Sequence, residues 1–404
     1  MKILFVHNNF PAQFAPLATA LVGEGAEVAA IGSLTARPLK GVRLVRYALG
    51  DGDVSRTHPF ARRFEGECRR AEQVLYGLSS LLASGFTPDI IVAHPGWGET
   101  LPLKTVFPSA RLLLYCEFFY GSDGRDIGFD PEFPAIGLDG GVGLKLKNAA
   151  TLLALAEADA TVSPTKWQRS TFPQPYRDAI RVIHEGVDTD RARPDSQAEF
   201  TLASGGTLRG SDQVVTFVAR NLEPLRGYHV FARALPRILV KAPDAHIVIV
   251  GGDGTSYGMK PQRGRTWKSI FLDEVADSID MSRVHFTGRL PYQRYLKALQ
   301  VSSAHVYLTY PFVLSWSAVE ALSAGCVVIG SDTAPVREII DDGKNGVLVP
   351  FFDVDGLADR VIDAVKHPHR FERMRASARE LAVTRYDSLR KCVPDALALV
   401  RSFT

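Results

Sequence analysis

The chain has 404 residues, more than a single hydrophobic core usually supports, so two domains are expected. It is 46% hydrophobic and 23% charged, an ordinary globular composition, and no apolar run is long enough to span a bilayer as a helix. A formal net charge of +3 supplies no strong drive towards nucleic acid.

The opening "MKILFVHNNFPAQF" is a short apolar run broken at once by Asn8 and Asn9, which reads as a buried first strand and not as a signal peptide. Further strands are expected at "EVAAIG", "VRLVRY", "DIIVAHP", "RLLLYCEF", "ATVSP" and "IRVIHEG", with helix-period segments such as "QFAPLATALVGEG" and "RAEQVLYGLSSLLASG" between them. Apolar runs separated by helices indicate a parallel sheet covered on both faces. The early basic residues Arg37, Lys40, Arg43, Arg46, Arg62, Arg63, Arg69 and Arg70 interleave with Asp51, Asp53, Glu65 and Glu67, the pattern of a solvated face. A weak patch for an anionic membrane or a charged acceptor is the sharper alternative.

"VDTDRARPDSQAEFTLASGGTLRGSD" is polar, rich in Gly and Ser, and has no sustained period, so it reads as a linker or an irregular domain edge. The alternation then restarts with "VVTFVAR", "HIVIVGG", "VHFTGRL", "AHVYLTYP", "CVVIGSD" and "NGVLVP". The expected fold is α/β: two doubly wound, Rossmann-like parallel-sheet domains facing across a deep cleft. The first is placed at 1–195, completed by the C-terminal helix 386–404, and the second at 196–385. Open parallel sheets bind ligands beyond the carboxyl ends of their strands, which favours an enzyme over a structural protein. Cys68, Cys116, Cys326 and Cys392 are far apart and unpaired in spacing, as in a cytoplasmic protein with reduced thiols. Neither they nor the "DGD" at 51–53 suggest a metal site.

Four segments could carry chemistry. In "VTFVARNLEPLRGYHVFARAL", Arg220 and Arg226 flank a loop that leads into a helix near Gly227. A helix start with two guanidinium groups suits a diphosphate, while two plain surface arginines would look the same. "AHIVIVGGDGTSYG" has Gly251, Gly252 and Gly254 after a strand, but it does not complete a dinucleotide fingerprint and reads as a turn. In "YPFVLSWSAVEALSAGC" a helix starts around Trp316 and stops at Gly325. Ser317 and Glu320 there have capping-box spacing, and Glu320 could instead accept both hydroxyls of a ribose. In "IIVAHPGWGETLP", His94 ends a first-domain strand, and Glu117 ends the neighbouring one; each can serve chemistry or be satisfied by backbone. The polar, aromatic "GSDGRDIGFDPEFP" nearby suits the lining of an acceptor site.

At these residues the whole chain resembles the retaining glycosyltransferases of family 4, which have the GT-B fold. "IHEGVDTDRARP" is similar to the family's end-of-first-domain signature, "VARNLEPLRG" to its phosphate-binding strand and loop, and "VHFTGRLPYQRYLKAL" to the segment beside the base. "SAVEALSAGCVVIGSDTAPVREIIDDGKNGVLVP" resembles its most recognisable segment. The resemblance implies that Glu320 is the second glutamate of an E-x7-E motif and holds the donor ribose. It implies that Arg220 and Arg226 neutralise the diphosphate leaving group, and that His94 lies near the transferred sugar. Backbone from Thr287 through Gly288 and Arg289 to Leu290 would contact the base. Phe312, Val313, Leu314, Ser315, Trp316 and Ser317 would border the phosphates and the sugar. Asn8, Asn9 and Glu117 would serve the acceptor or sugar side.

Two departures from the family pattern stand out. Phe312 occupies the first glutamate of E-x7-E, and "NNFPAQF" replaces the usual glycine pair after the first strand. The lost glutamate positions sugar hydroxyls and carries no proton, so altered donor choice is expected, with a deoxy sugar or a differently turned sugar as examples and Arg289 as a substitute contact. The implied enzyme moves sugar from a nucleoside diphosphate donor, UDP first and GDP next, to a glycan, glycolipid or small-molecule hydroxyl. It would need no metal or other cofactor, would bind no nucleic acid, and would be cytoplasmic with peripheral membrane contact open. The rival reading is an inactive nucleotide-sugar-binding relative that supports a partner. A sugar phosphorylase or epimerase on the same fold is a second rival, of which the pyridoxal-dependent phosphorylases are disfavoured because nothing resembles their lysine. The incomplete glycine fingerprint argues against a dinucleotide-dependent oxidoreductase.

Overall fold

Each apolar run expected as a main-sheet strand is one in the computed structural model, which describes residues 1–403 apart from Asp51 and Ala135. Asp51, and with it part of the "DGD" stretch, therefore lies outside the described residues. The chain divides into two compact units, one of Met1–Gly186 with Ser388–Thr404 and one of Val187–Asp387.

In the first unit the strands are β1 (Lys2–Val6), β2 (Glu27–Ser33), β3 (Val42–Tyr47), β4 (Ile90–Ala93), β5 (Arg111–Tyr115), β6 (Ala160–Ser163) and β7 (Ile180–Val182). They form one parallel sheet in the order β3-β2-β1-β4-β5-β6-β7. Alternate residues of β1 feed opposite cores: Leu4 and Val6 join Ile31 and Val74 on one face, and Ile3 and Phe5 join Val28 and Leu21 on the other. Burial on both faces is why the central strands β1, β2, β4 and β5 read as apolar runs. The C-terminal helix Val393–Arg401 packs on the helix Ala15–Gly23 of this unit, with Arg401 paired to Glu24 at 2.6 Å.

The second unit begins with a short antiparallel hairpin of β8 (Glu199–Thr201) and β9 (Thr207–Arg209). This corrects the reading of that polar segment as wholly irregular. Phe200 and Leu208 are its buried positions, and apolar residues spaced so sparsely leave no periodic signal. The parallel sheet follows: β10 (Val214–Asn221), β11 (His246–Gly252), β12 (Val284–Gly288), β13 (Ala304–Tyr307), β14 (Val328–Ser331) and β15 (Val347–Val349), in the order β12-β11-β10-β13-β14-β15. The boundary between units falls at residue 187 and not at 195. Residues 187–192 are tied to the second unit by Val187 donating to the Tyr386 carbonyl at 2.8 Å and by Arg379 donating to the Thr189 and Ala192 carbonyls.

Strand order reverses between β1 and β4 in the first unit and between β10 and β13 in the second. Chains leaving the carboxyl ends of such neighbouring strands part to opposite faces and open a crevice. His7 and His94 follow β1 and β4; Arg220 and Asn221 end β10, and Thr309 follows β13.

Candidate active site

In the second unit the loop after β10 turns at Gly227 into the helix Tyr228–Lys241. Gly227 has φ +68°, and a Cβ there would sit 2.3 Å from the Leu308 Cβ, so only glycine lets the loop press against the chain leaving β13. That approach places Arg226 over the start of the helix Trp316–Ser323. Arg226 Nη1 donates to Thr309 Oγ1 at 2.9 Å, the Val313 carbonyl at 3.0 Å and the Tyr307 hydroxyl at 3.5 Å. The same Tyr307 hydroxyl accepts the Ser315 N–H at 2.8 Å. A guanidinium, hydroxyls and the first amides of a helix thus converge, an arrangement that suits phosphate oxygens.

The capping box expected from Ser317 and Glu320 is not formed. Ser315 is the N-cap, its hydroxyl accepting the Ser317 N–H at 3.3 Å. Glu320 turns the other way: its Oε1 accepts the Tyr292 hydroxyl at 2.8 Å and its Oε2 the Tyr295 hydroxyl at 2.7 Å. Burial pushes the Glu320 carboxyl above its usual range, against the opposing pull of these two bonds and of Arg191. Tyr295 also lines a cavity at the carboxyl ends of β10–β12 with Arg220, Gly251, Arg289 and Leu290. Arg289 is steered there by Asn221, whose Oδ1 accepts its Nη2–H at 3.0 Å. A Cβ on Gly252 would lie 2.7 Å from that Oδ1 and 2.9 Å from Arg289 Nε, so this contact requires glycine. Thr287 turns its hydroxyl to the Ile249 and Gly288 carbonyls.

Phe312 does not open onto solvent; its ring is 1% exposed. It packs on Tyr257 with centroids 5.0 Å apart, and the Arg226 guanidinium lies 5.9 Å from its ring. Tyr257 is placed by Glu223, a residue 1% exposed, whose carboxylate accepts the N–H groups of Ser256 at 3.1 Å and of Tyr257 and Gly258 at 3.4 Å. Asn221 adds its amide to Ser256 Oγ. The Phe312 side chain is therefore turned into the protein. Leu314 likewise faces the core, among Tyr307 and Val319. Trp316 is 43% exposed.

In the first unit His94 is 4% exposed and stacks on Trp97 with centroids 4.3 Å apart. Its Nδ1 accepts the Gly96 N–H at 3.0 Å, which leaves the proton on Nε2, 3.4 Å from Glu117 Oε2. His7 lies edge-on to it at 5.4 Å; burial, then His94, holds its pKa well below 6.5, and its Nδ1 accepts the Asn9 N–H at 2.9 Å. Asn8 and Asn9 serve the loop itself: Asn8 Oδ1 accepts from Tyr47 at 3.3 Å and Asn9 Oδ1 from Thr35. The structure thus joins His94 with Glu117, and gathers Arg226 with Val313 and Ser315 in the other unit.

Sequence reasoning missed Asn221, Glu223, Tyr257, Tyr292, Tyr295, His7 and Trp97. Tyr292 and Tyr295 carried a signal, because residues three apart at a helix start share one face. Glu223 carried none beyond being an acid in an otherwise buried loop.

Two doubly wound parallel-sheet units, each with polar groups gathered at its strand-order reversal, give the chain the GT-B fold. Residues 24–192 match the family described as glycosyl transferase family 4 group, and residues 212–367 match glycosyl transferases group 1. The chain belongs to the family 4 glycosyltransferases. A phosphatidyl-myo-inositol mannosyltransferase of Mycolicibacterium smegmatis is 31% identical over 205 residues, 49% of this chain and 45% of that protein. This chain spans about half the length of such relatives. A GDP-mannose-dependent alpha-(1-6)-phosphatidylinositol monomannoside mannosyltransferase of the same organism is 27% identical over 298 residues, 71% of each chain. Sucrose-phosphate synthase from Thermosynechococcus elongatus has the same fold, with a TM-score of 0.74 at 16% identity, covering 100% of this chain and 98% of that one.

Proposed function

We propose that this protein transfers a sugar from a nucleoside diphosphate sugar to a hydroxyl of a lipid-borne acceptor, with retention at the anomeric carbon. The observation that carries the reading is Arg226, held by Thr309 and the Val313 carbonyl over the start of the helix Trp316–Ser323. A departing diphosphate gains negative charge there, and fixed donors aimed at developing charge are the largest catalytic term in such reactions. The bond from C1 to the diphosphate oxygen breaks, the acceptor oxygen bonds C1 from the same face, and its proton passes to the departing diphosphate. Arg220 and the helix amides share the charge. His94 donates from Nε2 towards the sugar or acceptor, oriented by its Nδ1 bond to Gly96. No metal ion takes part.

The family resemblance alone favours uracil as the donor base; the name of the GDP-mannose-dependent relative favours guanine, and we adopt guanine. The relatives' names also carry phosphatidylinositol, which supports a lipid-borne acceptor. The helix Leu138–Leu146 adds an apolar stripe of Leu138, Val142 and Leu146 at one-turn spacing, Leu138 being 93% exposed. Exposed apolar side chains grouped in this way suit contact with an apolar partner, a lipid surface among them.

Isothermal titration with GDP and UDP, with and without Mg²⁺, followed by donor-hydrolysis assays with the matching sugars, tests the reading. Micromolar GDP binding that is indifferent to Mg²⁺, with slow hydrolysis of GDP-mannose, is expected. No binding of either nucleotide would overturn the reading and leave an inactive relative in its place.

A further inference from the structure

We infer that Tyr292 and Tyr295 are positioning residues that lock the Glu320 carboxylate for a ribose diol, and so set the preference for ribonucleotide over deoxynucleotide donors. This deepens the proposed function and rests on it.

Glu320 sits on an eight-residue helix, and a glutamate side chain left alone there would sample several rotamers. Here each carboxylate oxygen is taken by a separate phenol, Oε1 by Tyr292 at 2.8 Å and Oε2 by Tyr295 at 2.7 Å. Two donors on two oxygens fix the plane of the carboxylate as well as its place. An ionised carboxylate offers about four lone-pair directions, so each oxygen keeps one for a further donor. The remaining pair is suited to two neighbouring hydroxyls and to little else.

The two tyrosines come from the first turn of the helix Tyr292–Gln300, three residues apart and hence on one face. Tyr295 is 9% exposed and also lines the cavity that holds Arg220, Arg289 and Leu290, so the clamp borders the cavity beside the segment expected to contact the donor base. Tyr292 is 37% exposed, and the Arg191 guanidinium lies 4.8 Å over its ring. That cation draws charge from the phenol and strengthens its O–H as a donor. A purely structural role for Glu320 would be served by one of these bonds; the pair specifies an orientation.

The test measures affinity for GDP and for 2′,3′-dideoxy-GDP, and for the matching UDP pair, in the full chain and in Tyr292→Phe, Tyr295→Phe and Glu320→Gln. The dideoxy analogue offers Glu320 no hydroxyl and is the internal reference. Wild type is expected to prefer the ribonucleotide at least tenfold, with the preference cut about threefold or more in each tyrosine variant and nearly abolished in Glu320→Gln. The acid side of the ribonucleotide affinity profile should also move to higher pH in Tyr292→Phe, because the phenol no longer favours the ionised carboxylate. Thermal unfolding identifies a variant that has lost its fold, and Tyr292→Phe, at the surface, is the one expected to keep it. An unchanged ribo-to-dideoxy ratio in folded tyrosine variants would overturn the inference while leaving the donor site intact. Failure of wild type to bind any of the four nucleotides would overturn the proposed function, and this inference with it.

Discussion

Phe312 packs its ring on Tyr257, with centroids 5.0 Å apart and planes inclined at 55°. The departure from the family pattern is therefore a change of partner as well as of chemistry. The phenylalanine braces the loop that Glu223 holds, beside the Arg226 guanidinium.

From that packing, Phe312→Ala should destabilise the second unit by about 3 kcal/mol or more, read by thermal or denaturant unfolding. Phe312→Glu, which restores the family residue, should be no more stable than the alanine variant, because it buries a carboxylate against an aromatic ring. A stable Phe312→Glu protein with raised donor affinity would mean that the position faces the donor after all.

Replacing Arg226 by alanine should lower turnover by about 10²–10³-fold, the scale of losing one charge-stabilising donor. Affinity for the bare nucleoside, which has no phosphate, should change little. Equal losses in the two quantities would remove Arg226 from the leaving-group role.

Glu223 accepts three successive backbone N–H groups. In Glu223→Ala these partly or fully exposed N–H groups exchange the carboxylate for water, at a cost of about 1 kcal/mol or less per bond. Hydrogen exchange at Ser256, Tyr257 and Gly258 should speed up selectively. Protection unchanged at those amides would show that the loop is held by other contacts.

Burial sets the Glu320 carboxyl above 4.5, and the pH dependence follows from that direction. Ionised Glu320 is the form that accepts ribose hydroxyls, so nucleotide affinity should fall on acidification at a higher pH than an ordinary carboxylate would give. The linkage to folding has the opposite sense. A carboxyl raised in the folded state contributes stability that is present below its unfolded value and is lost as pH rises through the folded one. Glu320→Gln should therefore gain stability relative to wild type as pH rises through that range. A difference in unfolding free energy that is flat with pH would show that the carboxyl is not raised.

Much of the fold was legible because its signals are local. Most main-sheet strands announced themselves as apolar runs, since a strand buried on both faces by helices needs no polar alternation; the edge strands β3 and β7 carry arginines and are largely unburied. The hairpin β8–β9 stayed hidden because two buried residues, Phe200 and Leu208, make no period. The start of the second unit was read late because Val187 and Thr189 are claimed by Tyr386 and Arg379, almost two hundred residues away in sequence.

The sequence by itself determined the α/β class, the two-part organisation, the family, and the identities of Arg226, Glu320 and His94 as groups at the ends of strands or the starts of helices. These follow from patterns a few residues long. Only the tertiary structure decided that Glu320 is gripped by Tyr292 and Tyr295 and does not cap its helix, that Phe312 points inward, and that Glu223 organises a loop. Those outcomes depend on groups 25 to 55 residues apart in sequence meeting in the folded second unit. Hydrogen bonds and ring contacts of that reach leave no trace in local spacing.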